Sequence, residues 1–223
     1  MTGPIVVVNP NSNRAVTDGL DRMLAAFRLP GGPGIDCVTL SEGPFGIESQ
    51  RDGDAVVGPL VRLVEARQDA SAFVIACYSD PGIDACREAS PVPVFGIQES
   101  GVLTALARAD RIGIIGLSRA SELRHRRYMR RMGVSARVAG ERAAELTVDE
   151  SARGERTRAK LIEVGTALVA DGAEALVLGC AGMAAHRAAL EAELGLPVID
   201  PVQAAVAMAL GCVLSRAVPP AAG

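Results

Sequence analysis

Two short runs, Ala72-Phe-Val-Ile-Ala-Cys77 and Ala175-Leu-Val-Leu-Gly-Cys180, decide how this chain folds. Each is continuous, apolar and of strand length, and each is followed at once by residues that stop a strand and open a helix: Ser79-Asp-Pro-Gly82 after the first, Ala181-Gly-Met183 after the second. Each cysteine therefore ends a strand and precedes a helix. In a parallel α/β sheet that carboxyl edge is where ligands bind, because loops open there and helix N-termini present unpaired N–H groups.

The likeness extends outward from the cysteines. Pro93-Val-Phe-Gly96 follows Cys77 after one helix's worth of residues, and Pro197-Val-Ile-Asp200 follows Cys180 after nearly the same interval. Upstream, Ile5-Val-Val-Val-Asn-Pro-Asn-Ser12 is matched by Ile112-Gly-Ile-Ile-Gly-Leu-Ser118, a strand running into a polar loop. The chain reads as a duplication that sets two thiols facing each other across a cleft. Further strands are expected at 35–40, 92–95, 136–139 and 198–199. Helices are expected at 16–27, 52–68, 81–89, 99–109, 119–131, 153–171 and 183–193, with a last one ending near Leu214. Pro59 is expected to kink or restart the second of these. Eight strands alternating with helices, rich in β-branched residues and poor in polar alternation, predict an α/β fold of parallel sheets covered on both faces. A first lobe is expected over 1–105 and a second over 106–216, with the C-terminal helix free to cross back, and a disordered tail over 217–223.

Composition narrows the function. The chain has 223 residues, 49% hydrophobic and 22% charged, and suits a soluble globular protein. A formal net charge of -3 gives no electrostatic reason to bind nucleic acid. The one basic cluster, Arg124-His-Arg-Arg127 to Arg130-Arg131, reads as the solvated face of a helix. No long apolar run suggests a membrane span, and Met1-Thr-Gly-Pro4 leads straight into a strand, so a cytoplasmic location is expected. Five cysteines without a Cys-x-x-Cys pair and two distant histidines, His125 and His186, indicate neither a disulfide framework nor a metal site. The sole lysine, Lys160, lies in a charged run, and no dinucleotide or phosphate-loop pattern occurs. No cofactor is expected, and the chemistry falls to side chains.

The stretches Ile75-Ala-Cys-Tyr-Ser-Asp-Pro-Gly82, Leu178-Gly-Cys-Ala-Gly-Met183, Asn9-Pro-Asn-Ser12 and Gly43-Pro-Phe-Gly-Ile-Glu-Ser49 resemble the hydantoin racemases of the aspartate/glutamate racemase superfamily, collinearly over nearly the whole chain. The resemblance implies two similar lobes, each a four-stranded parallel sheet flanked by helices, related by a pseudo-twofold axis with the active site between them. It also implies that Cys77 and Cys180 are the catalytic pair. Allantoin racemases are similar in the same motifs. Amino-acid racemases of the superfamily usually show Cys-Asn-Thr and Gly-Cys-Thr where this chain has Cys77-Tyr-Ser79 and Gly179-Cys-Ala181. That difference argues against free aspartate or glutamate as substrate. Tyr78 and Ser79 stand where hydantoin racemases commonly have Phe and Gly, which leaves allantoin-like and unusual hydantoin substrates open.

The chemistry agrees with the resemblance. Inverting a carbon centre takes a base on one face and an acid on the other, and neither enantiomer is favoured, so two matching groups are expected. A thiol titrates near ~8.5, and a helix N-terminus or hydrogen-bond donor brings it down toward neutrality. The enolate oxygen needs donors, for which the backbone N–H groups of Ser79-Asp80 and Ala181-Gly182 are candidates. Asn11 and Ser118, in matching loops, are candidates for the ring's amide edges, and Arg119 for the cleft. Asp80 also fits a helix cap. Glu99 and Gln203 fall at nearly equivalent positions with cap or interface roles in view. Cys37, Cys86 and Cys212 read as inert core. Other readings are another superfamily reaction, such as amino-acid racemisation, maleate isomerisation or arylmalonate decarboxylation, or a small-molecule binding protein without turnover. A small-molecule substrate and a homo-oligomer are the expected partners.

Overall fold

The computed structural model describes residues 3–152 and 155–216. The expected tail at 217–223 and the expected helix start at Arg153 lie outside the described residues. Among the described residues, eight strands form two four-stranded sheets, all of whose pairings are parallel. The first has the order β2-β1-β3-β4, from β1 (Ile5–Asn9), β2 (Ile35–Thr39), β3 (Ala72–Ile75) and β4 (Val94–Gly96). The second repeats that order as β6-β5-β7-β8, from β5 (Ile112–Gly116), β6 (Val138–Ala143), β7 (Ala175–Leu178) and β8 (Val198–Ile199). The two central strands of each sheet are the most apolar segments and are buried throughout, because helices cover both faces. β6 is an edge strand, and its polar Glu141 and Arg142 hid its last residues from the sequence reading.

Local chemistry sets the helix boundaries. The region expected as one helix at 52–68 is two, α2 (Gln50–Ala55) and α3 (Val57–Ala66). Ser49 and Asp52 close a capping box over the start of α2, and Pro59 falls in the first turn of α3, where its missing N–H costs nothing. The chain begins α1 at Arg14–Met23 and α4 at Ile83–Ala89. The next helix, α5 (Ile97–Leu106), starts two residues before its expected position because Asp80 supplies its cap from a distant loop: the Asp80 carboxylate accepts from Gln98 N at 2.8 Å and Glu99 N at 2.9 Å. In the second half, α6 (Arg119–Met132) and α7 (Glu155–Ala170) are followed by a 3₁₀ turn at Ala181–His186, then α8 (Arg187–Leu194) and α9 (Pro201–Arg216).

The halves exchange their last helices. α5, which follows the first sheet, packs on β5, β7 and β8 of the second, whereas α9 packs on β1, β3 and β4 of the first, and the two helices pack on each other. A single core cluster accordingly runs through both halves, joining Val7 and Val74 to Ile115, Val177 and Val206. No helix among the described residues is long and apolar enough to cross a membrane.

Candidate active site

β3 and β7 are the third strands of their sheets, and the residues just beyond their carboxyl ends, Cys77 and Cys180, line one cavity. Its volume is about 40 Å³, room for a few waters but not for a substituted ring. Two loops cover it, one from each half. Ile47 comes from the loop after β2, and Val148 from the segment after β6. The glycine of the first loop lets the two touch, since a Cβ at Gly46 would lie 3.3 Å from a Val148 methyl carbon. Pro44 O accepts from Ser12 N at 2.8 Å, which ties the same loop to the turn after β1.

Each sulfur has a hydroxyl partner from its own half. Cys77 Sγ lies 3.7 Å from Ser79 Oγ, and Cys180 Sγ 3.5 Å from Ser151 Oγ. Burial pushes the Cys77 thiol up to about 12, against the Ser79 hydrogen bond and the Arg124 charge, which pull it down. Burial likewise raises the Cys180 thiol, with Ser151 and the Gly182 N–H opposing it. The expectation that a helix terminus or a donor brings these thiols toward neutrality is therefore corrected for this narrow cavity, where desolvation outweighs the donors. The sulfurs also affect each other: a charge on Cys180 raises Cys77.

The other sequence candidates divide. Asn11, Tyr78, Ala181 and Gly182 line the cavity with the thiols. Asn11 Oδ1 accepts from Asn9 Nδ2 at 3.0 Å and Asn13 N at 2.9 Å, which leaves the amide nitrogen to offer a ligand. The Tyr78 hydroxyl is buried without a partner. Ser79 reaches the cavity only through the Cys77 sulfur, and its N–H, like that of Asp80, is taken by the Cys77 carbonyl at 2.9 and 3.0 Å. Asp80 itself is spent on the α5 cap. Ser118 caps α6 and does not line the cavity. Arg119 is exposed, 3.7 Å from Glu145.

Four contributors, Arg124, His125, Val148 and Ser151, escaped the sequence reading. The basic cluster is not all solvated face: Arg124 and His125 turn inward, because residues three and four apart share a helix face with buried Ser121 and Met129. Arg124 lines the cavity, donates to Glu48 O at 3.1 Å, and keeps a buried Nε without a partner. His125 bridges the halves. Its Nε2 lies 2.6 Å from the Tyr78 carbonyl, which only accepts and so fixes a proton there, and its Nδ1 lies 2.5 Å from Glu141 Oε1. Ser151 is fully buried in a 3₁₀ turn. Carrying the internal repeat one loop further, from Ile47-Glu-Ser49 to Val148-Asp-Glu-Ser151, supplies the signal for Val148 and Ser151.

A family model described as Asp/Glu/Hydantoin racemase matches residues 5–209. The hydantoin racemase of Paenarthrobacter aurescens is 34% identical over 217 residues, covering 92% of this chain and 89% of that protein. That of Pseudomonas sp. (strain NS671) is 34% identical over 209 residues, covering 92% and 84%. Among solved structures, allantoin racemase from Klebsiella pneumoniae superposes with a TM-score of 0.90 at 32% identity, over 96% of this chain and 89% of that one.

Proposed function

Because the chain belongs to the Asp/Glu/hydantoin racemase family, we propose that it interconverts the enantiomers of 5-substituted hydantoins without a cofactor, with Cys77 and Cys180 as the two bases. The observation that supports this reading is the placement of one thiol from each half on a single narrow cavity. In one direction the thiolate of one cysteine takes the C5 proton. The electron pair of the C–H bond moves into the ring as an enolate, and the opposite thiol returns a proton to the other face of C5. One thiol has then become a thiolate and the other a thiol, so the reverse reaction starts from the state the forward one leaves.

A single negative charge passes from sulfur to enolate oxygen to sulfur, and Arg124 is the cation on the cavity wall that remains near it. The Asn11 amide and Arg124 are the donors we assign to the enolate and the ring's amide edges, and the Gly182 N–H to the Cys180 sulfur. We assign Tyr78, Ser79 and Ala181 to the walls and to the sulfurs, and Asp80, Ser118 and Arg119 to helix caps and the surface. The cavity as it stands holds no substituted ring, so the loops carrying Ile47 and Val148 part to admit one.

A second reading is allantoin racemisation, favoured by the likeness to allantoin racemase from Klebsiella pneumoniae. Allantoin is itself a hydantoin with a ureido group at C5, so the chemistry is shared and the substituent decides. Loss of optical rotation, measured on 5-alkyl and 5-benzyl hydantoins, allantoin and free amino acids, tests both. Loss with the alkyl or benzyl compounds is the expected result. Loss confined to allantoin moves the assignment to the second reading, and loss with none of the hydantoins overturns both.

A further inference from the structure

Two clefts flank the thiol cavity, and they occupy equivalent places in the two halves. One, of about 590 Å³, lies between α1 and the 3₁₀ turn after Cys180. The other, of about 250 Å³, lies between α6 and the turn after Cys77. The larger shares four wall residues with the thiol cavity: Val16, Val148, Ala181 and Gly182. The smaller shares only Arg124.

We propose that the larger cleft seats the C5 substituent of the hydantoin for both enantiomers, and that it favours an apolar arm carrying a hydrogen-bond acceptor. This rests on the reading of Cys77 and Cys180 as the racemising pair. Proton exchange from opposite faces moves the hydrogen on C5 while the ring and the substituent stay nearly in place. One seat therefore serves both hands, and the two clefts need not be alike. They are not. The smaller is crossed by the Arg131–Asp84 ion pair at 2.7 Å and carries Arg124 and Arg127, poor surroundings for a neutral arm. The larger also carries Arg22, Asp149 and Arg187, the last paired with Glu191 on its own helix, but seven of its sixteen wall residues are alanine or valine, and its volume falls in the range of small-molecule sites.

Asn13 gives this seat its polarity. The residue is 5% exposed and lines the cleft, and its Oδ1 accepts from Ala15 N at 3.1 Å as the cap of α1. That bond fixes which end of the amide is free, and Nδ2 is buried without a partner. A buried donor left unmade is costly, and an acceptor on the substrate's arm relieves it. Gly19 supplies the room, since a Cβ there would meet nothing within 4 Å.

The test compares kcat/KM for racemisation of 5-methylhydantoin, 5-isobutylhydantoin and 5-(2-carbamoylethyl)hydantoin by the full chain. Gly19→Leu fills the cleft, and the isobutyl-to-methyl ratio falls roughly tenfold, the worth of a buried apolar arm. Asn13→Asp keeps the helix cap and removes the donor, and the carbamoylethyl-to-isobutyl ratio falls roughly tenfold, as a lost buried hydrogen bond predicts. Ratios within one variant cancel any general loss of fold or thiol reactivity. If both ratios stay within about twofold of wild type, an effect too small for either contact, the seat lies elsewhere. If wild type racemises none of the three, the underlying reading fails instead.

Discussion

Cys77 sits beside a hydroxyl and within reach of the Arg124 charge, whereas Cys180 is held by a hydroxyl and by the Gly182 N–H. The same sheet order and the same strand end thus present two sulfurs in different settings. Under the proposed mechanism each sulfur serves as the thiolate base in one direction, so the buried charge needs opposing on both sides, and the surroundings that do so need not be the same. A cation on one side and a peptide donor on the other are two ways of opposing the same desolvation. The chain shows a second exchange of this kind. A carboxylate caps the helix after the fourth strand in each half, but Asp80 does so from the turn after Cys77, while Asp200 caps its own helix, accepting from Gln203 N at 2.7 Å. Gly96, at the position matching Asp200, has no room for a side chain, because a Cβ there would lie 2.2 Å from the Asp80 carboxylate.

Breaking the thiol comparison at its centre has the largest effect. Cys77→Ser and Cys180→Ser are each expected to lower racemisation in both directions by at least about a thousandfold, since a hydroxyl is a far weaker acid than a thiol and so neither ionises to a base near neutrality nor gives up a proton as readily. Solvent deuterium wash-in separates the two. Each variant keeps one thiol and should exchange the C5 proton of a single enantiomer, the opposite one in the two proteins. If a double variant racemises at the wild-type rate, the pair is not catalytic.

Removing the cation sharpens the contrast less drastically. Arg124→Gln is expected to lower kcat/KM by about ten- to a hundredfold near neutrality, with Arg124→Lys recovering part of it. The sign in pH is definite. Arg124 lowers the Cys77 thiol, so its loss raises that thiol further and leaves less thiolate at neutral pH. In wild type, where burial already holds both thiols high, kcat/KM should climb with pH through neutrality without a plateau. Because Cys77 stays far from half-ionised in both proteins, the ratio of their thiolate fractions, and with it the Arg124→Gln deficit, should be constant with pH through neutrality. Alkylation of Cys77 by iodoacetamide reads the thiolate alone and should fall in proportion; an unchanged alkylation rate would assign Arg124 to the enolate or the Glu48 contact rather than to Cys77.

The strands, the duplication and the two cysteines were legible because they are local: an apolar run and the turn that ends it lie within a few residues. The residues around the sulfurs were harder to read because they arrive from elsewhere. Ser151 lies 29 residues before its sulfur in a turn without hydrophobic period, and Arg124 reaches Cys77's cavity from the other half. Asp80 carries a cap signature before a proline, and the expectation of a cap was right in kind. Its client is α5 rather than α4, because Gly82 at the start of α4 is left-handed at φ 68 and the carboxylate turns to the neighbouring helix. The exchange of α5 and α9 between sheets likewise depends on contacts far apart in sequence.

The smallest expected effect separates the two capping carboxylates by their titration. Burial raises Asp80 to about 7 and Asp200 to about 6, against the backbone N–H groups each accepts. Glu99 adds to the rise at Asp80, and Tyr128 opposes it. A carboxyl whose folded value exceeds its unfolded one is deprotonated more readily in the unfolded chain. Its favourable contribution is complete below the unfolded value of 3.8 and is lost as pH rises through the folded value. Wild type should therefore gain stability as pH falls from about 8 to about 6, roughly 1 kcal/mol of it from Asp80 and less from Asp200, whose window lies lower. Asp80→Asn and Asp200→Asn each remove one share, and Asp80→Asn also loses one of its two cap hydrogen bonds, a cost that does not vary with pH. Urea unfolding of the three proteins across that interval reads the slopes directly: Asp80→Asn should flatten the curve more than Asp200→Asn. Equal slopes in all three would mean that the cap N–H groups, rather than burial, set both carboxylates, and that the two halves differ in where the cap comes from but not in what it costs.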